Sequence, residues 1–139
     1  MTGTASERLA ELGLALPAVA APVAAYVPAV RTGSYVYTSG QLPFVDGKLQ
    51  GTGKVGDGVA PSDAAALART AALNALAAVA SVAGGVDSIV RVVKVTCFIA
   101  SAPSLSTGRR TGSFAASPRQ NPCPLSFQTG PAPGFHRFH

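Results

Sequence analysis

Ala64–Ala83 runs for twenty residues without a glycine or proline, reading "AAALARTAALNALAAVASVA". Alanine and leucine are the strongest helix formers, so this run predicts one long helix. Pro61-Ser62-Asp63 opens it: Ser62 can cap the first turn, and Asp63 suits the positive helix end. Gly84-Gly85 supplies the stop, because glycine takes the left-handed conformation that closes a helix. Ala72, Leu73, Leu76, Ala80 and Ala83 fall on one stripe. A stripe of small side chains lets a helix lie close to a sheet. The rest of the chain must therefore supply that sheet.

"AAYVPAVRTGSYVYTSGQLP" is the best sheet signal. Two runs rich in Val and Tyr flank Thr32-Gly33, a turn pair whose glycine can take positive φ. The pattern predicts a hairpin of Tyr26–Arg31 with Ser34–Ser39. Tyr35 and Tyr37 share one face, Ser34 and Val36 the other, and Gly40 ends the strand. "DGKLQGTGKVGDGV" is rich in glycine and predicts a loop with a short strand near Lys54-Val55. Val86–Ile99 predicts a buried strand, with Ile89 in its lead-in and the β-branched residues densest over Val92–Ile99. Near the start, Thr4-Ala5-Ser6-Glu7 fits a capping box. Leu9 and Leu12 then share a face, and Gly13 is the stop. The helix-then-strand succession predicts a crossover whose strand returns to the hairpin's sheet.

That inventory leaves a sheet with one face under a single helix. A second helix and further strands are needed, and the remaining residues look unfit to supply them. Residues 103–139 hold prolines at 103, 118, 122, 124, 131 and 133, and no window alternates for long or carries a helical stripe. "NPCPLSFQ" is the nearest thing to a strand, and Pro122 and Pro124 confine it to a sheet edge. The organisation expected is one α+β domain over residues 1–103, incomplete, followed by a Pro/Arg/Ser/Gly-rich tail over 104–139, disordered or loosely docked.

The formal charge of +5 and pI near 9.8 invite a nucleic-acid partner, but their location argues against one. Glu7, Glu11, Asp46, Asp57, Asp63 and Asp87 are all the acids, and they precede residue 88. Past residue 102 come Arg109, Arg110, Arg119 and Arg137 without an acid. The charge is thus a property of the tail, and no basic stripe runs along the patterned part. A composition 47% hydrophobic and 12% charged is too apolar for a chain disordered throughout. Cys97 and Cys123 have no metal spacing. Cys97 sits in an apolar strand pattern and reads as a buried reduced thiol, which suits the cytoplasm. No metal or cofactor is implied. The apolar runs are read as interrupted by proline, against a membrane span. "LGLALPAVAAPVAA" looks like a signal-peptide core, but Glu7 and Glu11 precede it and Pro17 and Pro22 break it.

Taken together, "PVAAYVPAVRTGSYVYTSGQLP", "GKVGDGV", "AALNALAAV" and "VVKVTCFIASAP" resemble the YjgF/RidA family, the L-PSP endoribonuclease-like or enamine/imine deaminase proteins. The nearer likeness is to a longer bacterial subgroup with an extra N-terminal helix. The resemblance covers about residues 6–103. It implies a chorismate-mutase-like α+β fold, a mostly antiparallel sheet with helices on one face, here with an atypical C-terminal third. It also implies a homotrimer with clefts between subunits. There a small imino acid such as 2-aminoacrylate is hydrolysed to a keto acid and ammonia. In the family a Tyr near the first strand, the Ser-Gly of the "SGQ" turn, and an Arg and a Glu from the last third line the cleft. Carried over, Tyr26 matches the Tyr, and Ser39 and Gly40 match the turn. The competing readings are packing at a subunit edge for Tyr26 and a plain strand end for Ser39 and Gly40. Arg31 and Arg91 read as solvated strand residues. His136 and His139 sit at the terminus without a neighbouring nucleophile.

The resemblance breaks after Pro103. The family continues with a Pro-Lys and Asn-Gly-Ala-Ser helix, an Arg-Ser-Ala-like strand and a closing strand with an acid, and none is present. Arg119 is the one candidate for the missing carboxylate anchor, and no acid follows Asp87. A shifted reading frame accounts for both the abruptness and the composition. One GC-rich back-translation of Ala102–Arg110, read two bases on, gives Pro-Glu-Pro-Val-Asp-Arg-Pro-Lys, close to the family's Gly-Phe-Thr-Asp-Gln-Pro-Lys. The rival is a natural divergent tail. Three functional readings follow. The first is an imine deaminase weakened by its missing Arg and Glu. The second is a non-catalytic trimer that binds small carboxylates or serves as a scaffold. The third, a ribonuclease or translation inhibitor, ranks last for want of a His/Glu pair or a basic groove.

Overall fold

The computed structural model describes residues 3–19, 26–103, 105 and 126–129. Helix α1 spans Ala5–Glu11, and its capping box forms as its sequence predicts. Thr4 Oγ1 accepts from the Glu7 N–H at 3.2 Å, and Glu7 Oε2 accepts from the Thr4 N–H at 2.8 Å. Gly13, at φ 64°, closes the helix. The helix buries no residue of its own. It is held instead by Asp87, whose carboxylate accepts from the Ser6 N–H and the Ser6 hydroxyl, both at 2.7 Å.

The predicted hairpin is present, trimmed at its ends. β1 is Ala29–Thr32 and β2 is Tyr35–Thr38, antiparallel, with Val30 opposite Tyr37 and Arg31 opposite Val36. The two-residue loop is Gly33-Ser34. Only its first residue has positive φ, 56° at Gly33, the pattern of a type II′ turn. A second small hairpin follows, β3 (Phe44–Val45) with β4 (Lys48–Leu49). Its turn residues Asp46 and Gly47 have φ of 50° and 75°. The sequence reading took this stretch for loop, although Asp-Gly between apolar residues is a hairpin signal. The short strand expected at Lys54-Val55 is β5, which pairs with β6, Gly58–Val59.

The long helix is α2, Pro61–Ala83, with Pro61 in its first turn and Gly84 as a left-handed cap at φ 89°. Two details differ from expectation. The N-cap is Ala60, with no side-chain bond, so Ser62 lies inside the helix and caps nothing. Proline at the first position supplies the helical φ in advance, which fixes the start two residues earlier. The buried residues are Ala75, Ala77, Ala78, Val79 and Ala83; of the predicted stripe Ala83 is buried and Leu76 packs on the core, while Ala72 is exposed. α2 is apolar nearly all round, so its sequence left the phase open. It contains no interior proline and is long and apolar enough to cross a membrane by length and composition, which corrects the reading of the apolar runs. It packs against β1 and β2.

A 3-10 turn at Val86–Ser88 leads into β7, Ile89–Lys94. β8 is Ser126–Thr129, and the sheet order is β1-β2-β8-β7 with every neighbour antiparallel. β7 therefore runs parallel to β2, and the predicted crossover through α2 returns to the hairpin's sheet. Two expectations fail here. The "NPCPLSFQ" stretch was expected only at an edge, yet β8 lies between two strands. The proline restriction does not reach it, because β8 begins after Pro124. β7 was expected to be buried over Val86–Ile99. It starts at Ile89, ends at Lys94, and exposes every residue but Ile89. The core is Ala29, Val36, Ala78, Val79 and Ala83, with Leu76, Val82 and Ile89 packed against it. Burying a valine such as Val36 or Val79 contributes roughly 1.5–3 kcal/mol. Most of the tail expected over 104–139 lies outside the described residues, Arg119, Cys123, His136 and His139 among it.

Candidate functional site

Three residues singled out in the sequence meet at the open end of the β1–β2 hairpin. Tyr26 precedes β1, and Ser39 and Gly40 follow β2. The hairpin's pairing continues one step past the strands: the Ser39 N–H donates to the Pro28 carbonyl at 3.1 Å, and the Ser39 hydroxyl donates to the same oxygen at 3.0 Å. Pro28 has no N–H to return the bond, so the ladder stops there. The two chains then part, and Tyr26 bridges the gap. Its hydroxyl donates to the Gly40 carbonyl at 3.0 Å. Tyr26 as a whole is 45% exposed. Gln41 adds a side-chain bond, its Nε2 donating to Ser39 Oγ at 3.3 Å. Among the described residues none accepts from the backbone N–H of Gly40 or Gln41. The hairpin end thus offers a half-exposed tyrosine and two backbone donors.

The other candidates lie elsewhere. Arg31 turns its Nε onto the Gly33 carbonyl at 3.2 Å, as a solvated strand residue would. Arg91 lies on β7. Cys97 is a free thiol, partly rather than fully buried, which corrects the expectation of a core residue. Partial burial pushes its pKa up, so it stays protonated and is a poor nucleophile. Asp87 titrates below the ordinary carboxylate range, chiefly because the Ser6 hydroxyl and N–H donate to it. That carboxylate serves α1 and not the hairpin end. No group of three or more His, Cys, Asp or Glu among the described residues could hold a metal ion. A groove of about 320 Å3, lined in part by Gln50, Thr52, Asp63 and Leu67, contains none of Tyr26, Ser39 or Gly40.

A profile of the family described as "YjgF/chorismate mutase-like, putative endoribonuclease" matches residues 6–105. The chain belongs to the YjgF family. "Protein TCP17" of Trypanosoma cruzi is 36% identical over 105 residues, covering 76% of this chain and 66% of that protein. Among solved structures, one titled a putative endoribonuclease from Shewanella oneidensis MR-1 is 38% identical, with a TM-score of 0.60, over 65% of this chain and 60% of that one. The protein Atu1372 of Agrobacterium tumefaciens, titled as of unknown function, is 31% identical, with a TM-score of 0.68, over 89% of this chain and 91% of that one. This YjgF chain spans slightly under two thirds of the length of TCP17 and three fifths of the Shewanella chain. Its fold is the α+β, chorismate-mutase-like fold of the family. The profile match ends at residue 105, close to where the YjgF pattern stops in the sequence.

One contributor at this end escaped the sequence reading. Asn74, midway along α2, donates from Nδ2 to the Leu42 carbonyl at 2.8 Å and to the Phe44 carbonyl at 3.0 Å. The signal was available: asparagine is a poor interior helix residue, and a lone one in an alanine run asks what its amide bonds to.

Proposed function

We propose that the open end of the β1–β2 hairpin is a site for small imino and keto acids. The chain is then a deaminase-like YjgF protein whose hydrolysis is slow. The observation carrying this reading is the Tyr26 hydroxyl on the Gly40 carbonyl beside Ser39, at 3.0 Å. In the reaction, water adds to the carbon of the C=N bond, the nitrogen gains protons, and ammonia leaves as the keto acid forms. That chemistry needs donors aimed at developing charge, a cation for the substrate carboxylate, and a group to hold and deprotonate the water. The Gly40 and Gln41 N–H groups meet the first need, while the Tyr26 hydroxyl, its one proton directed at the Gly40 carbonyl, can accept from the substrate. Among the described residues, no arginine and no carboxylate hydrogen-bonds Tyr26, Ser39 or Gly40. Binding with little turnover is the consequence, and it keeps the non-catalytic binding trimer as the second reading. A ribonuclease has less support, because no stripe of Lys or Arg runs along residues 1–102.

Self-association as a homotrimer belongs to the same proposal. The sheet face away from α2 leaves Val30, Tyr35 and Tyr37 exposed, the two rings 6.5 Å apart. Apolar faces of this kind mark interaction surfaces. A cytoplasmic location agrees with the free thiol of Cys97.

The test is a titration with pyruvate followed by amide NMR, alongside ammonia release from 2-aminoacrylate generated in the assay. The expected result is shifts at Tyr26, Ser39 and Gly40, lost in Tyr26→Phe, with little ammonia above the uncatalysed background. No shift at these residues with pyruvate at tens of millimolar would remove the site.

A further inference from the structure

We infer that Asn74 is a positioning residue for the hairpin-end site, acting through the 41–44 segment; this rests on the site reading above. The segment leaving β2 is held at two places. At the near end, the Ser39 N–H and hydroxyl both donate to the Pro28 carbonyl, at 3.1 and 3.0 Å. At the far end, the Asn74 amide donates to the Leu42 and Phe44 carbonyls, at 2.8 and 3.0 Å. Between the two clamps lie Gly40, whose carbonyl takes the Tyr26 hydroxyl, and Gln41, whose side chain reaches Ser39; their N–H groups are the donors the site offers.

The far clamp joins the Asn74 side chain to the packing of β3 on α2. Pro43 has no N–H, so this turn cannot hold itself with a full set of backbone bonds. It has the tight Phe44 N–H to Leu42 carbonyl bond at 2.8 Å. Beyond that, the Gln50 N–H reaches the Pro43 carbonyl at 3.1 Å. Neither bond ties the turn to the rest of the fold, whereas Asn74 ties it to α2, whose Ala78 and Val79 sit in the core. An amide nitrogen has two hydrogens, and both are directed at this one turn. A glycine beside a clamp is the residue most free to wander, because it has no Cβ to restrict φ. Fixing Leu42 therefore fixes the direction of the Gly40 and Gln41 donors, and preset donors bind charge without the cost of ordering them on each encounter.

The test compares Asn74→Asp with the parent chain at full length. Aspartate keeps the shape but cannot donate, and it sets a carboxylate against two carbonyl oxygens. Val79→Ala serves as a control that lowers stability from the core without touching the turn. The readouts are amide shifts and hydrogen exchange at Gly40 and Gln41, and pyruvate affinity by NMR. The expected result for Asn74→Asp is shifted, faster-exchanging Gly40 and Gln41 amides and about tenfold weaker pyruvate binding. Val79→Ala should lower Tm and leave both readouts unchanged. Unchanged Gly40 and Gln41 amides in Asn74→Asp would overturn the inference, as would changes matched by Val79→Ala. If the parent chain does not bind pyruvate, the site reading fails, and the amide readouts still decide whether Asn74 orders the segment.

Discussion

β2 and β7 belong to one sheet, run in the same direction and are both rich in valine, yet their surroundings differ. β2 lies under α2, and Val36 is 0% exposed. β7 meets the core through its first residue, Ile89, and farther along Val92 is 50% exposed. The difference is not in the strands but in what covers them. One helix roughly covers two strands, and α2 contacts β1 and β2. The same division holds for the candidate site, which sits at the end of the covered hairpin with its outgoing segment tied to the covering helix through Asn74. Order at the site is thus borrowed from α2.

The sharpest way to break this comparison is to place a charge on each strand. Val36→Asp buries an unpaired carboxylate and should cost about 4 kcal/mol of stability, enough to unfold the chain. Val92→Asp should stay within about 0.5 kcal/mol, as surface changes do. Equal costs in urea titrations would show that β7 is covered after all. The cap that ends α2 comes next. Gly84 stands at φ 89°, where an added Cβ is strained, so Gly84→Ala should cost about 1.5 kcal/mol in the same titration. On the covered face, Thr38 Oγ1 is buried and has no hydrogen-bond partner among the described residues. Thr38→Val keeps the shape and removes that orphan, so stability should rise by about 1 kcal/mol, and a loss would reveal an unseen partner.

The smallest effect concerns α1, which lies outside the core altogether. Asp87 has its pKa lowered below 3.8, mainly by the Ser6 hydroxyl and N–H. A lowered carboxylate pKa contributes to docking at pH values above 3.8 and stops contributing as pH falls through the lowered value. Protection of the α1 amides, corrected for the intrinsic exchange rate, should therefore be flat at neutral pH and fall only below the ordinary carboxylate range. Asp87→Asn should remove that pH dependence.

The covered half was readable from sequence because its signals are local. Tyr35, Val36 and Tyr37 alternate, Gly33 takes the positive φ of the turn, and Gly84 ends a helix with no interior breaker. The phase of α2 was not readable, since alanine on every side presents no preferred face, and Ala75 and Ala78 are chosen by the sheet. The N-terminus slipped by two residues because Pro61 begins the helix without help from Ser62. β8 was legible only as an edge strand in "NPCPLSFQ", because two prolines precede Ser126–Thr129, and its place between β2 and β7 is set by the neighbours and not by its own pattern. At the site, Tyr26, Ser39 and Gly40 were named through the family likeness, and the structure places them together. Asn74 was visible only as an oddity in an alanine run, and its partners lie some thirty residues away in the chain.

Native-state hydrogen exchange on the full chain tests the division most directly. With α2 covering β1 and β2, the amides of Val36 and of the α2 turns around Val79 should exchange only through global unfolding, and those of β7 should open far more readily. If Val90–Lys94 exchange as slowly as β2, a cover lies over that half of the sheet and the account of a half-covered fold is wrong.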